Sequence, residues 1–163
     1  MTVIWVNGAI GAGKTAVGRA LAGLLSGARF LDGDDHAGPR HLPARRRWRM
    51  ATDALLRAVA LRAHTPVLVI AYPLDPTGYR RLRTVCGRSR RRLMVVTLAT
   101  PLPIILRGRG GRGLSAAERA RTRRMHAEGY HRRRFPALVL PNASGTAART
   151  ARLVVRRLRR PCS

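Results

Sequence analysis

Gly8-Ala9-Ile10-Gly11-Ala12-Gly13-Lys14-Thr15 is the stretch that decides the fold. It matches G-x-x-x-x-G-K-[ST] in full, the pattern of a phosphate-binding loop (P-loop). Gly8, Gly11 and Gly13, with the small Ala12 between them, let successive backbone N–H groups turn inward around an anion. A helix that starts at Lys14 aims the positive end of its dipole at the same point. Lys14 reaches toward the β- and γ-phosphates of a nucleotide, and the Thr15 hydroxyl suits a Mg²⁺ ligand. The context is the one the motif requires: the apolar run Val3-Ile4-Trp5-Val6 precedes it, and Ala16-Val17-Gly18-Arg19-Ala20-Leu21 follows it as a helix.

Outward from this loop, short apolar runs alternate with longer amphipathic ones. That alternation predicts an α/β architecture with a largely parallel sheet. The expected strands are Thr2–Asn7, Ala28–Asp32, Val67–Tyr72, Leu93–Leu98 and Ala137–Leu140. The expected helices are Lys14–Leu25, Ala44–Ala63, Pro76–Cys86, Pro101–Leu106, Ser115–Arg134 and Thr146–Arg159. No internal repeat or linker divides the chain, so residues 1–163 are expected to form one three-layer domain.

Composition sets further bounds. The 163 residues are 45% hydrophobic, which fits a folded core and not a disordered chain. No apolar run approaches the roughly 20 residues that cross a bilayer. The opening segment lacks a basic leader, so a cytoplasmic protein is expected. Cys86 and Cys162 form neither a disulfide framework nor a metal spacing. The formal net charge is +26, from 33 Lys+Arg against seven acids, and Lys14 is the single lysine. So much arginine either attracts polyanions or reflects a GC-rich genome. Its spread over several elements favours composition, and no specific nucleic-acid partner is expected.

Three of the seven acids are clustered in Phe30-Leu31-Asp32-Gly33-Asp34-Asp35-His36. They fall where the second strand ends, and ligands of open α/β sheets bind at the carboxyl ends of strands. A carboxylate there can help hold Mg²⁺ and accept the proton of an attacking hydroxyl. Asp and Gly also suit a helix cap, a reading that stays open for Asp35. The third strand, Val67 to Tyr72, carries no acid, so the metal helper is Asp32 or its neighbours, or Asp75 just beyond that strand.

Arg107-Gly-Arg-Gly-Gly-Arg-Gly113 follows the fourth strand. Its glycines suit a hinge, and its arginines suit closure over a transferring phosphate. Arg112, beside Leu114, is the first choice for that role and Arg107 the second. Asn142 to Thr146 either contacts a purine edge, with Asn142 foremost, or simply makes a turn. Trp48 and Tyr79 either line a pocket or pack in the core.

With these residues in view, the chain resembles the P-loop small-molecule kinases. Val3 to Ala9 with the loop is similar to the start of the tunicamycin-resistance ATP-binding proteins. Asp32-Gly33-Asp34 is similar to the element of gluconate kinase and adenylylsulfate kinase, and chloramphenicol phosphotransferase and shikimate kinase share the layout. The resemblance implies a five-stranded parallel sheet, helices on both faces and a lid at about 107–125. It implies ATP or GTP as phosphoryl donor, Mg²⁺ and a small-molecule hydroxyl acceptor, in a monomer or homodimer. Asp32 becomes the base or metal helper, and Asp34, Arg40, Asp75 and Trp48 fall to the acceptor. The segment Ala44-Arg45-Arg46-Arg47 lacks the acids that gluconate kinases place before their tryptophan. Arg112-Gly113-Leu114 stands where shikimate kinases have arginine-proline-leucine. The likeness is therefore to the group, with an antibiotic or nucleoside-like metabolite as the expected acceptor, a sugar acid or sulfonucleotide as the alternative, and a nucleotide-dependent nucleic-acid-binding protein as the weaker, non-enzymatic one.

Overall fold

The computed structural model describes residues 1–61, 64–108, 113–133, 135, 137–143 and 145–159. The element order is β1 (Thr2–Asn7), α1 (Lys14–Leu24), β2 (Ala28–Asp32), a 3₁₀ turn (Gly33–His36), α2 (Ala44–Leu61) and β3 (Val67–Ala71). There follow α3 (Pro76–Arg88), β4 (Arg92–Ala99), α4 (Leu102–Leu106), α5 (Ala116–Ala127), β5 (Ala137–Pro141) and α6 (Ala147–Leu158). The five strands form one sheet in the order β2-β3-β1-β4-β5, and every pairing is parallel.

Period-two alternation in the central strands sorts the core into two layers. Ile4 and Val6 of β1, Val69 of β3 and Val96 of β4 face α1 and α6, where they pack with Val17, Leu21, Ala151 and Val154. Val3 and Trp5, Leu68 and Ile70, and Val95 face α2 and α3, where they pack with Leu55, Val59 and Leu82. Both faces of the sheet are covered, as an all-parallel sheet requires.

Two buried polar side chains fix the sheet at the carboxyl end of β1. Asn7 donates from Nδ2 to Thr97 Oγ1 (3.1 Å) and accepts from the Leu74 amide (2.8 Å). Trp5 donates from Nε1 to the Tyr72 carbonyl (2.7 Å). The loops after β1, β3 and β4 are thereby held in a common frame, and these loops border the site.

The helix expected over Ser115–Arg134 is shorter, ending at Ala127. Gly129 adopts φ 77°, a left-handed conformation that stops the helix and turns the chain toward β5. No helix among the described residues is long and apolar enough to cross a membrane.

Candidate active site

The loop between β1 and α1 takes the conformation its glycines allow. Gly11 has φ 75° and Gly13 has φ 91°, both in the region that Cβ-bearing residues avoid. A Cβ on Gly11 would also lie 2.6 Å from Ile105 Cγ2, so α4 packs directly against the loop. Gly13 precedes α1 without any side-chain cap, and the first turn of α1 has no acid. The amino end of an 11-residue helix therefore opens into a cavity with its positive dipole end uncovered. Lys14 folds back across the loop and donates from Nζ to the Ala9 carbonyl (2.8 Å).

That cavity measures about 1100 Å³. Pockets that hold one small ligand span about 300–1,000 Å³, and this cavity lies just above that range. Gly11, Gly13, Lys14 and Thr15 line one part of it, and Asp32, Asp34, Pro39, Arg40, Arg47 and Tyr72 line another. The acidic turn and the loop thus share one space, as the strand-end argument expected.

Asp32 ends β2 and caps the 3₁₀ turn, its Oδ1 accepting from the Asp34 amide (3.1 Å). Gly33 makes the turn possible, because a Cβ there would sit 2.0 Å from Tyr72 Cδ2. Asp34 and Arg40 are exposed on the cavity wall, whereas Asp35 is exposed outside it. Arg47, from the first turn of α2, is half-buried, and its Nε donates to the Gly38 carbonyl (3.0 Å). Burial holds the Tyr72 hydroxyl above its usual range, with the charge of Asp34 adding to the shift and Arg47 opposing it.

Several residues that the sequence pointed to take other positions. Asp75 is not on the cavity wall; its carboxylate caps α3 by accepting from the Gly78 amide (2.6 Å). Trp48 lies behind the wall, 5.5 Å from the Tyr72 ring and 6.1 Å from the Tyr130 ring, with the Arg121 guanidinium 5.5 Å from its centre. Tyr79 stacks on Phe135 at 4.5 Å. Both aromatics pack in the core instead of forming a stacking platform. Asn142 borders the cavity and is only 1% exposed, and its Nδ2 donates to the Ala12 carbonyl (2.8 Å). Arg107 is exposed at the end of α4, away from the cavity wall, and Arg112 lies outside the described residues.

Two wall residues escaped the sequence reading. Arg47 belongs to no motif. Glu118 closes a capping box, accepting from the Ser115 amide (2.9 Å) while its own amide donates to Ser115 Oγ (3.2 Å). The Ser-x-x-Glu spacing was a usable signal for the start of α5. It carried no sign that α5 begins at the cavity.

No family model matches the chain, and no curated protein sequence matches it. Solved structures do. A gluconokinase from Sinorhizobium meliloti 1021 superposes with a TM-score of 0.73 at 22% identity, covering 96% of this chain and 93% of that one. The fold is that of the P-loop kinases. The Mycobacterium tuberculosis APS kinase in complex with AMPPNP and APS gives a TM-score of 0.73 at 22% identity over 98% of each chain. The Deinococcus radiodurans tunicamycin resistance protein gives 0.62 at 19% identity, over 97% of this chain and 95% of that one. The likeness runs over whole chains of metabolic and resistance proteins alike, at identities that speak for the fold alone.

Proposed function

We propose that this chain is a nucleotide-dependent kinase that moves a γ-phosphoryl group to a hydroxyl of a small molecule. One observation carries the reading. A phosphate-binding loop and a carboxylate at the end of β2 line the same cavity.

The loop amides and the amino end of α1 bind the nucleotide phosphates, and Lys14 exchanges its bond to the Ala9 carbonyl for a phosphate oxygen. Asp32 accepts the acceptor's hydroxyl proton as that oxygen bonds to the γ-phosphorus. The bond from the γ-phosphorus to the bridging oxygen breaks, and a nucleoside diphosphate leaves. Asp34 and Arg40 orient the acceptor. Most of the rate gain comes from positioning and from charge placed in advance.

The donor set fits Mg²⁺. Among the described residues no group of three or more His, Cys, Asp or Glu could cage an ion, and β3 ends in Ala71 without an acid. Mg²⁺ needs no such cage, because it binds through one or two protein oxygens, phosphates and water. Thr15 and Asp32 would hold it, and when bound it offsets charge on the phosphate oxygens.

Two acceptor classes suit the site. An antibiotic or nucleoside-like metabolite is supported by the likeness to the tunicamycin resistance protein. A sugar acid or sulfonucleotide is supported by the cavity itself, where Arg40 and Arg47 place two guanidinium groups on one wall. A mass-spectrometric screen with ATP or GTP, Mg²⁺ and a panel of phenicols, aminoglycosides, nucleoside antibiotics and sugar acids separates them by a phosphoryl mass gain. Lys14→Ala abolishes that gain. Asp32→Asn lowers turnover with little loss of nucleotide binding, and wild-type turnover in that variant would remove Asp32 from its role.

A further inference from the structure

The positive charge of this protein is not evenly offset around the fold. Its seven acids lie in the turn after β2, in α2, at the start of α3 and in α5. Five of them cap helices or form the pairs Arg81–Asp53 (2.6 Å) and Arg121–Glu128 (3.3 Å). Helices α1 and α6 differ. Neither α1 nor α6, which pack side by side on one face of the sheet, contains an acid, and β5 between α5 and α6 has none.

On this face α6 presents Arg149, Arg152, Arg156, Arg157 and Arg159, all exposed. The spacing 149, 152, 156 and 159 keeps four of them on one stripe of the helix. Among the described residues none of these guanidinium groups has a hydrogen-bonded or ionic partner. The apolar side of α6, with Ala151 and Val154, is sealed into the core, so the stripe faces outward on a rigid support. Arg19 of α1 is exposed as well and lies toward β2, 5.3 Å from the Phe30 ring centre.

We propose that the α1–α6 face binds the phosphodiester backbone of nucleic acid without sequence preference. The match is one of charge and length. At about 1.5 Å per residue the stripe from Arg149 to Arg159 runs about 15 Å. That is four or five nucleotides of one strand at about 3.4 Å each. Guanidinium groups suit the partner, since their planar forks bond phosphate oxygens in pairs. No aromatic or amide side chain on α6 is placed to read a base, so affinity follows phosphate charge alone. The face is independent of the phosphotransfer reading, because no arginine of α6 lines the cavity.

Fluorescence anisotropy with a mixed-sequence single-stranded oligonucleotide, titrated with the full chain at several salt concentrations, tests this. Wild type binds at about 50 mM salt, with an affinity that falls steeply toward about 200 mM. Arg149→Gln/Arg152→Gln/Arg156→Gln flattens the log–log salt slope by about 2, since each lost contact to a single strand removes about 0.7. The equally charged control Arg80→Gln/Arg83→Gln/Arg88→Gln on α3 keeps the wild-type slope. Arg149→Lys/Arg152→Lys/Arg156→Lys keeps it too, and circular dichroism checks that each variant is folded. Equal losses in the two Gln triples would assign binding to net charge and overturn the proposed face. So would no oligonucleotide binding at about 50 mM salt, or binding to phosphatidylserine vesicles in its place.

Discussion

The Ala12 carbonyl receives two buried donors, Thr100 Oγ1 at 3.1 Å and Asn142 Nδ2 at 2.8 Å, so the phosphate-binding loop is held from behind. Asn142 in turn accepts from Thr150 Oγ1 (3.2 Å), which ties the start of α6 to the same loop. Removing the amide loses both of these bonds, leaves the Ala12 carbonyl to Thr100 alone and loosens the loop. Asn142→Ala therefore costs about 1–3 kcal/mol of stability, measured by urea unfolding. It also weakens nucleotide binding in calorimetry, although no side-chain contact to the nucleotide is lost. An unchanged affinity in that variant would show that the loop keeps its shape without this bond. The same residue marks a limit of sequence reading. Gly8 to Thr15 was legible because all of its chemistry lies within eight neighbouring positions. Asn142 meets Ala12 across 130 positions, and its direction depends on how β5 docks beside β4. Arg47 was illegible for a similar reason, since among Arg45, Arg46 and Arg47 only the angle of α2 decides which one faces the cavity.

Between β2 and β3 the fit is tight enough to be tested by one methyl group. The Tyr72 ring is fixed by Trp48 against one side and by the bond from Trp5 to the Tyr72 carbonyl, and it leaves no space for a Cβ on Gly33. In Gly33→Ala the 3₁₀ turn must move and carry Asp32 and Asp34 with it. The expected outcome is an overpacking cost of about 1–3 kcal/mol in urea unfolding and a fall in turnover larger than the fall in nucleotide affinity. The end of α5 offers a second test. His126 and His131 stack at 4.3 Å, and burial holds both imidazoles below the ordinary histidine range, helped for His126 by the neighbouring His131 and for His131 by Arg132. With folded values depressed, the unfolded chain takes up these protons first. The pair's contribution is present above about pH 6.5 and is lost as pH falls through the folded values. His131→Phe keeps the stacked ring and removes one titration. Its thermal midpoint should fall less steeply than that of wild type from about pH 6.5 to about pH 5, before carboxylates dominate. Parallel pH profiles for the two proteins would contradict this account. Elements were legible where the pattern is local, as in β1, α1 and β2. The end of α5 was not, because Arg132 and Arg133 continue a helical charge pattern past Gly129, and the glycine's left-handed turn overrides it.

At the scale of the molecule, alternating strands and helices told of a parallel sheet but not of its order. The sequence β2-β3-β1-β4-β5 puts the strand that precedes the phosphate-binding loop at the centre and the one before the acidic turn at an edge. Only the crossovers, which no residue pattern encodes, bring the two loops to one cavity. Net charge, by contrast, is a property the composition states outright, and it has a consequence for the whole fold. A chain at +26 repels itself more when compact than when unfolded. Few carboxylates relieve the repulsion, since the seven acids face 33 basic residues and several of them serve as caps. Sodium chloride shortens the Debye length from about 30 Å at 0.01 M to about 10 Å at 0.1 M, which screens like charges across the surface. Added salt should therefore raise the urea midpoint without changing the m-value, because the surface exposed on unfolding stays the same. Urea is the suitable denaturant, being uncharged, and chloride is a suitable salt, because sulfate or phosphate would stabilise through the loop at Lys14 as well. A midpoint that stays level or falls between about 0.01 M and about 0.1 M sodium chloride would mean that local pairing already offsets the arginines.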